Sequence, residues 1–388
     1  MAAESFRNIK DIIAELDNKT SLNAQNEFKE KALNICKQYI GGFWKKSGIN
    51  EFSVSKLSGG LTNMVFLCSL AEDAQPENTE PTKAILRVYF NADIDKNLVT
   101  ETVVFMLLSE KKLGPKLFGT FEGGRLEEYI PSRALKYEEL GSNRFSNEIA
   151  KSIARIHKLE MPIWKEPDFL SELLTQWITQ LAEHTKPHDI IIIPEKYSQW
   201  APKSITVEEL GQLVESTKKL IAKSQSKVVF CHNDILENNL LLVEKKDQDT
   251  DKTYSELVMI DFEFACYNYR GFEFANHFVE WTIDYDTKTP PFYEIDTKKL
   301  PSKARMTEFM VAYLKELHST ESIDNILEEA TNLVEESLPF IPVDHMLWGV
   351  FSFLQVHLVS AADFDFAKIA QDRLGMYYQY KHLLDKLA

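Results

Sequence analysis

The apolar and polar positions of this chain change period several times along its length. Over residues 5–46, apolar positions such as Ala32, Ile35, Cys36, Tyr39 and Ile40 recur at helical spacing, which predicts helix. The pattern then becomes that of strands. Phe52, Val54 and Leu57 lead into a turn at 58–63, an apolar run follows at 64–70, and after a polar loop at 71–82 a third strand is predicted at 84–90. A helix over 98–112 ends at Gly114-Pro115, and a hairpin of 116–121 with 125–130, turned at Gly123-Gly124, stops at Pro131. Beyond it, residues 143–159, 168–184 and 207–224 read as amphipathic helices. A strand at 228–230 and the polar segment 232–239 interrupt them, and 240–243 pairs with 257–260 across an acidic loop. The most apolar long stretch, 346–362, holds Gln355 and His357 and is short for a membrane span, so it reads as a buried helix.

This pattern predicts an α+β chain with a hinge near Pro131, a small lobe at 1–130 with an antiparallel sheet and helices, and a larger, mainly helical lobe at 131–388. A length of 388 residues also exceeds what one growing core accommodates. The formal net charge of −15 changes the picture of partners, because no basic run interleaved with aromatics tracks a phosphate backbone. Nucleic acid is excluded as an expected partner, and a cationic small molecule is favoured by the field. The four cysteines, Cys36, Cys68, Cys231 and Cys266, form no close pair of the zinc or redox type, which fits reduced thiols in a cytoplasmic protein. Charged residues interrupt the first nineteen positions, so no signal-peptide core and no stable membrane insertion are expected.

The sharpest chemical signal is His232-Asn233-Asp234-Ile235-Leu236-Glu237-Asn238-Asn239, followed after one hairpin by Ile260-Asp261-Phe262-Glu263. This is the spacing of a kinase catalytic loop and its metal-binding Asp. Phosphoryl transfer needs a carboxylate to orient the attacking hydroxyl and accept its proton, a role that suits Asp234. Magnesium needs hard oxygen donors, which Asn239 and Asp261 supply. Either motif alone is weak, since an H-x-D tripeptide is common and an Asp after apolar residues often ends a strand. Joint order strengthens both. Upstream lie a glycine turn, Ser58-Gly59-Gly60-Leu61-Thr62-Asn63, whose amides and hydroxyls suit phosphates, and Arg87 on the third strand, where a protein kinase keeps its phosphate-pairing Lys. Glu101 on the next helix is its expected partner, because a charge inside an apolar strand needs one.

The block 260–281, from Ile260-Asp261-Phe262-Glu263 through Tyr267-Asn268-Tyr269-Arg270-Gly271 to Glu280-Trp281, resembles choline and ethanolamine kinases. So do 113–119 and 124–132, and the likeness spans roughly 50–385. The resemblance implies a protein-kinase-like bilobal fold, ATP at the lobe interface and Mg2+ as cofactor. By similarity Asp234 is the catalytic base, Asn239 and Asp261 bind magnesium with Glu263 as an additional carboxylate, and Arg87 contacts the ATP phosphates. The hinge around Glu127, Tyr129 and Ile130 holds the adenine. Asn238 stands where most relatives have Gly, and Asn still tolerates left-handed backbone.

For the alcohol, the resemblance points to Glu280, Tyr285 and Trp348, with Phe351 one helical turn on and with Phe264 and Phe364 nearby. A quaternary ammonium cannot donate a hydrogen bond, so aromatic faces and a nearby carboxylate must select it. A Trp and Phe stripe at this spacing is, by itself, more often core than cage. Phe264 and Phe351 replace the Tyr and Trp of many choline kinases, and Ile369 stands where another pocket Tyr is usual, which thins the cage. Phosphorylation of choline to phosphocholine is the leading expectation, with ethanolamine as the alternative and a nucleotide-binding pseudokinase as the non-enzyme reading. Homodimers are frequent in that family.

Overall fold

The computed structural model describes Ile9 and residues 22–57, 63–71, 80–89, 98–246, 253–319, 324–359 and 364–387. The chain forms two compact units, Met1–Ser132 and Arg133–Ala388. The turn residues Ser58, Gly59, Gly60, Leu61 and Thr62 lie outside the described residues, and Asn63 is placed only as the first residue of a strand.

In the first unit, helices α1 (Leu22–Tyr39) and α2 (Gly42–Lys46) precede strands β1 (Phe52–Lys56), β2 (Asn63–Leu70) and β3 (Lys83–Tyr89). Helix α3 (Leu98–Glu110) and the hairpin of β4 (Leu117–Phe121) and β5 (Gly124–Glu128) complete it. The single helical period expected up to residue 46 is broken at Gly41, whose φ of 80° is left-handed and ends α1. The strands pair antiparallel in the order β1-β2-β3-β5-β4. One sheet face packs on α1 and α2: Phe28, Leu33, Cys36 and Trp44 bury themselves against Phe52, Phe66, Leu86 and Leu126. Each large apolar side chain so buried contributes about 1.5–3 kcal/mol. Gly119 of β4 is required by this packing, because a Cβ there would sit 2.0 Å from the Tyr39 ring of α1.

The second unit opens with β6 (Arg133–Ala134), α4 (Tyr137–Leu140), α5 (Asn143–His157) and α6 (Phe169–His184). A small hairpin of β7 (Ile190–Ile192) and β8 (Ser204–Thr206) leads into α7 (Val207–Ile221), whose first turn is closed by a Thr206/Glu209 capping box. Strand β9 (Val228–Cys231), the hairpin β10 (Leu240–Lys246) and β11 (Thr253–Met259), β12 (Cys266–Tyr269) and α8 (Arg270–Glu280) follow. After β13 (Ile283–Asp284) and β14 (Glu294–Ile295) the chain is helical: α9 (Lys303–His318), α10 (Ile326–Ser337), α11 (Phe340–Leu358) and α12 (Phe366–Tyr380). The apolar stretch around 346–358 is the inner part of α11, and a helical run at 326–358 is apolar enough by length and composition to cross a membrane. Of that window, 83% is buried inside the protein.

Two pairings position the chemistry. Strands β10 and β11 pair with Leu240 opposite Met259, so the segments flanking them, 232–239 and 260–263, are brought together. Strand β9 pairs antiparallel with β12, Cys231 opposite Cys266, a partner not foreseen from the apolar run at 228–230. The loop that leaves β9 therefore starts beside the chain that enters α8.

Candidate active site

His232 closes the loop onto the end of the hairpin. Its Nδ1 accepts from the Asp234 amide at 3.3 Å, so Nε2 carries the hydrogen and donates to Ile260 O at 2.9 Å. Burial pushes the His232 imidazole below its ordinary value, which keeps this neutral tautomer, and its ring stacks 4.5 Å from that of Phe262. Ile260 N donates in turn to Asn239 O at 3.0 Å. Asn233 and Asp261 both adopt left-handed backbone, φ 70° and 64°, which Asn and Asp tolerate better than other side chains. The strain sits on the two residues that turn the chain at the site.

The loop is anchored from below by α8 and α5. Glu273, fully buried, accepts the amides of His232 and Asn233 on Oε1 at 2.7 and 2.8 Å, and its Oε2 meets His157 Nε2 at 2.6 Å. Burial opposes its charge, but these donors prevail and hold its carboxyl below the usual range. Asn276 Oδ1 accepts from Ile235 N and His277 Nδ1 donates to Ile235 O, both at 3.0 Å. Asn276 and His277 fall inside the block 260–281, but the sequence assigns a role neither to them nor to Glu273 or His157. The signal available was polar residues at inward positions of predicted helices.

Asn239 Nδ2 donates to Asp234 Oδ2 at 3.1 Å and to Asp234 O at 2.9 Å, so the loop brings these two side chains into contact. Burial first, then the fields of Glu280, Glu263 and Asp261, push the Asp234 carboxyl well above its ordinary value, while Asn239 pulls it down. Asp261, Glu263 and Glu280 thus all lie within electrostatic reach of Asp234. Glu237, buried on the following turn, is pushed up to about 8 by burial and by Glu280, Asp284 and Asp286.

Glu280 lies at the end of α8 and is held by Arg373 of α12, a residue that sequence reading passed over. The Arg373 guanidinium, buried, donates to Glu280 Oε1 at 2.8 Å, to Tyr285 Oη at 2.8 Å and to Asp344 Oδ2 of α11 at 2.9 Å. Burial first and the neighbouring Glu280 raise Asp344 to about 6, against the pull of Arg373. One helical turn after Asp344, Trp348 packs edge-on to Phe264 at 5.5 Å and to Phe351 at 5.6 Å. Helix α6 adds Trp177, 5.0 Å from Phe351 and 6.2 Å from Trp348. Phe364 joins a different group, 6.3 Å from Tyr285 and 5.7 Å from Tyr293. Ile369 is buried in α12.

In the first unit, Arg87 and Arg125 stand opposite each other on β3 and β5, and both are buried. Arg87 Nε pairs with Glu127 Oε1 at 3.1 Å. Glu101, expected to pair with Arg87, instead takes the Nη1 of Arg125, which also donates to Tyr89 Oη at 3.1 Å. Arg125 also lies 4.3 Å from the ring of Phe105 on α3, the helix that carries Glu101. Glu127 thus spends its carboxylate on arginine. Tyr129 and Ile130 follow β5 half-buried, Tyr129 under Lys83 Nζ at 5.5 Å.

A carboxylate loop of this order on an α+β, kinase-like fold defines a phosphotransferase. The chain matches the family described as choline/ethanolamine kinase over residues 54–378. Among curated relatives, Choline kinase A2 of Caenorhabditis elegans is 42% identical, covering 100% of this chain and 94% of its own. Choline/ethanolamine kinase of Mus musculus is 36% identical over 91% of this chain and 86% of its own. A solved choline kinase from Cryptosporidium parvum superposes with a TM-score of 0.66 at 24% identity, covering 91% of this chain and 95% of that one, and so shares the fold. This chain belongs to the choline/ethanolamine kinase family.

Proposed function

We propose that this protein transfers the γ-phosphoryl group of ATP to the hydroxyl of choline, giving phosphocholine for membrane lipid synthesis in the cytoplasm. The observation that carries the proposal is the hydrogen bond from Asn239 Nδ2 to Asp234 Oδ2, inside a loop that the β10–β11 hairpin closes onto Asp261. Asp234 orients the alcohol and accepts its proton as the oxygen attacks the γ-phosphorus, and Asn239 fixes the rotamer in which it does so. The donor set fits magnesium: carboxylates at 234, 261 and 263 and the Asn239 amide oxygen are hard ligands, and the repulsion that raises Asp234 is what a divalent cation relieves. Bound there by Asn239, Asp261 and Glu263, the metal would neutralise charge on the nucleotide phosphates. Arg87 is assigned to those phosphates, and the backbone at 127–130 to the adenine.

For the alcohol, Glu280, Tyr285 and the Phe264, Trp348 and Phe351 rings support a small cation. Ethanolamine is the second reading. It is favoured by the rings themselves, since Trp177, 5.0 Å from Phe351, covers aromatic surface that a trimethylammonium group would use. Steady-state kinetics on both alcohols test the choice: a kcat/KM for ethanolamine about tenfold above that for choline overturns the choline assignment. Asp234→Asn is expected to lower kcat by at least about a hundredfold with ATP affinity nearly unchanged. Undiminished turnover removes Asp234 from the role of base.

A further inference from the structure

One buried carboxylate at the site has no assigned task. Glu237 is 4% exposed, and its Oε2 is fully enclosed without a hydrogen-bond partner. Its other oxygen meets only the neighbouring Asn238 amide, at 3.5 Å. Among the described residues no Lys, Arg or His pairs with it. Glu280 repeats the pattern: it is 2% exposed, and its Oε2 is enclosed and unpartnered while Oε1 faces Arg373.

The backbone explains why these two orphaned oxygens belong together. Asn276 and His277 grip Ile235 N and O at 3.0 Å each, two residues before Glu237. Glu280 lies one helical turn beyond Asn276, on the same face of α8. The strongest outside charge acting on Glu237 is that of Glu280. Arg373 cannot serve both, because its guanidinium is already divided between Glu280 and Asp344. Two of the three buried carboxylates thus share one guanidinium, and among the described residues no cation pairs with Glu237.

We propose that Glu237 is a second carboxylate of the ammonium subsite, acting beside Glu280 to compensate the positive charge of the substrate's nitrogen. The ligand class is a small organic cation bearing a hydroxyl, and the inference rests on the alcohol-kinase reading of the same site. Glu280 has one oxygen committed to Arg373, and Glu237, buried with an unpartnered oxygen, adds a second carboxylate from the loop that also carries Asp234. Binding of substrate and placement of the base are thereby coupled through one short segment.

The test compares choline with 3,3-dimethylbutan-1-ol, which has the same shape with a neutral carbon in place of the nitrogen. Glu237→Gln is expected to raise the KM for choline about tenfold, leaving kcat and the KM for ATP within about twofold and the KM for the neutral alcohol unmoved. Glu237→Asp, which keeps the charge, is expected to stay within about threefold of the parent for choline. Equal shifts for both alcohols, no shift for choline, or a shift confined to the magnesium dependence overturns the proposal. Calorimetry of choline with the parent and Glu237→Gln proteins separates the two readings. Charge-dependent binding without turnover keeps Glu237 in the subsite and refutes phosphoryl transfer. Absence of binding to the parent protein refutes both.

Discussion

Replacing Arg373 with methionine keeps most of the side chain's volume and removes the one cation that joins α8, α11 and the Tyr285 loop. The guanidinium is 3% exposed and bonds Glu280, Asp344 and Tyr285 at 2.8–2.9 Å, so no water stands ready to replace it. Deleting one member of a buried pair typically costs 3–5 kcal/mol, because the partner charge stays buried and uncompensated. Here two carboxylates lose their partner. Protonation offers an escape and gives the effect a pH dependence. Asp344 is already raised to about 6 with Arg373 present, by burial first, and without the guanidinium it rises further. A carboxyl whose folded value lies above its unfolded one supports stability at low pH, and that support is lost as pH rises through the folded value. The deficit of Arg373→Met should therefore be about 3–5 kcal/mol at pH 8 and should shrink as the pH is lowered towards 5.5. Urea unfolding of the parent and the variant at several pH values in this window measures it. A deficit under about 1 kcal/mol, or one independent of pH, would refute the reasoning.

Three further outcomes follow from single contacts. Glu273→Ala removes a charged acceptor from two buried loop amides and from His157, and should lower stability by about 3 kcal/mol and kcat with it; a variant as stable as the parent in urea and fully active would show that the loop holds itself. Trp348→Ala should raise the KM for choline more than that for ATP, whereas Trp177→Ala, one shell further out, should mainly lower stability; steady-state kinetics with thermal melts separate them, and equal rises in both KM values would mark Trp348 as core only. Thr206→Ala deletes the cap of α7, whose Oγ1 accepts from Glu209 N at 3.1 Å, and should cost about 1 kcal/mol without touching either KM; a change in KM would tie α7 to the site.

What could be read from the sequence was what the chain keeps close along itself. The strands of the first unit are the three apolar runs and the glycine-turned hairpin read from the sequence, but the helix between β3 and β4 hides from local pattern that β5, not β4, pairs with β3. The loop at 232–239 and Asp261 are joined by one hairpin, so a motif at fixed spacing names two segments that the fold brings together. Over the described part of 5–46 the helical period is carried by two helices, because Gly41-Gly42, whose backbone angles are left-handed, end the first. The arginine network was hidden by distance in sequence: Arg373 meets Glu280 93 residues away and Asp344 29 residues away. No local rule pairs such charges. The rule that singled out Arg87, a charge among apolar neighbours, applies equally to Arg373 in α12, and it names a residue without naming its partner. Glu101 shows the same limit, since it pairs with Arg125 of β5 rather than with Arg87 directly opposite it on β3.

Charge balance then separates the two units. In the first, Glu127 pairs with both Arg87 and Arg125, and Glu101 with Arg125, so each of these buried charges has an opposite charge beside it. In the second, Glu280 and Asp344 share Arg373, Glu237 has no cation partner among the described residues, and Asp234 feels Asp261, Glu263 and Glu280 together. Folding such a group costs free energy that hydrophobic replacements would not, so it persists for what it binds rather than for stability. Two kinds of positive charge relieve it by different routes, a divalent ion at the Asp234 end and an organic ammonium at the Glu280 end. On the proposed reading of the site, each cation lowers the cost of ionising Asp234 and so favours the form able to accept a proton, and binding of the alcohol and of the metal should each tighten the other.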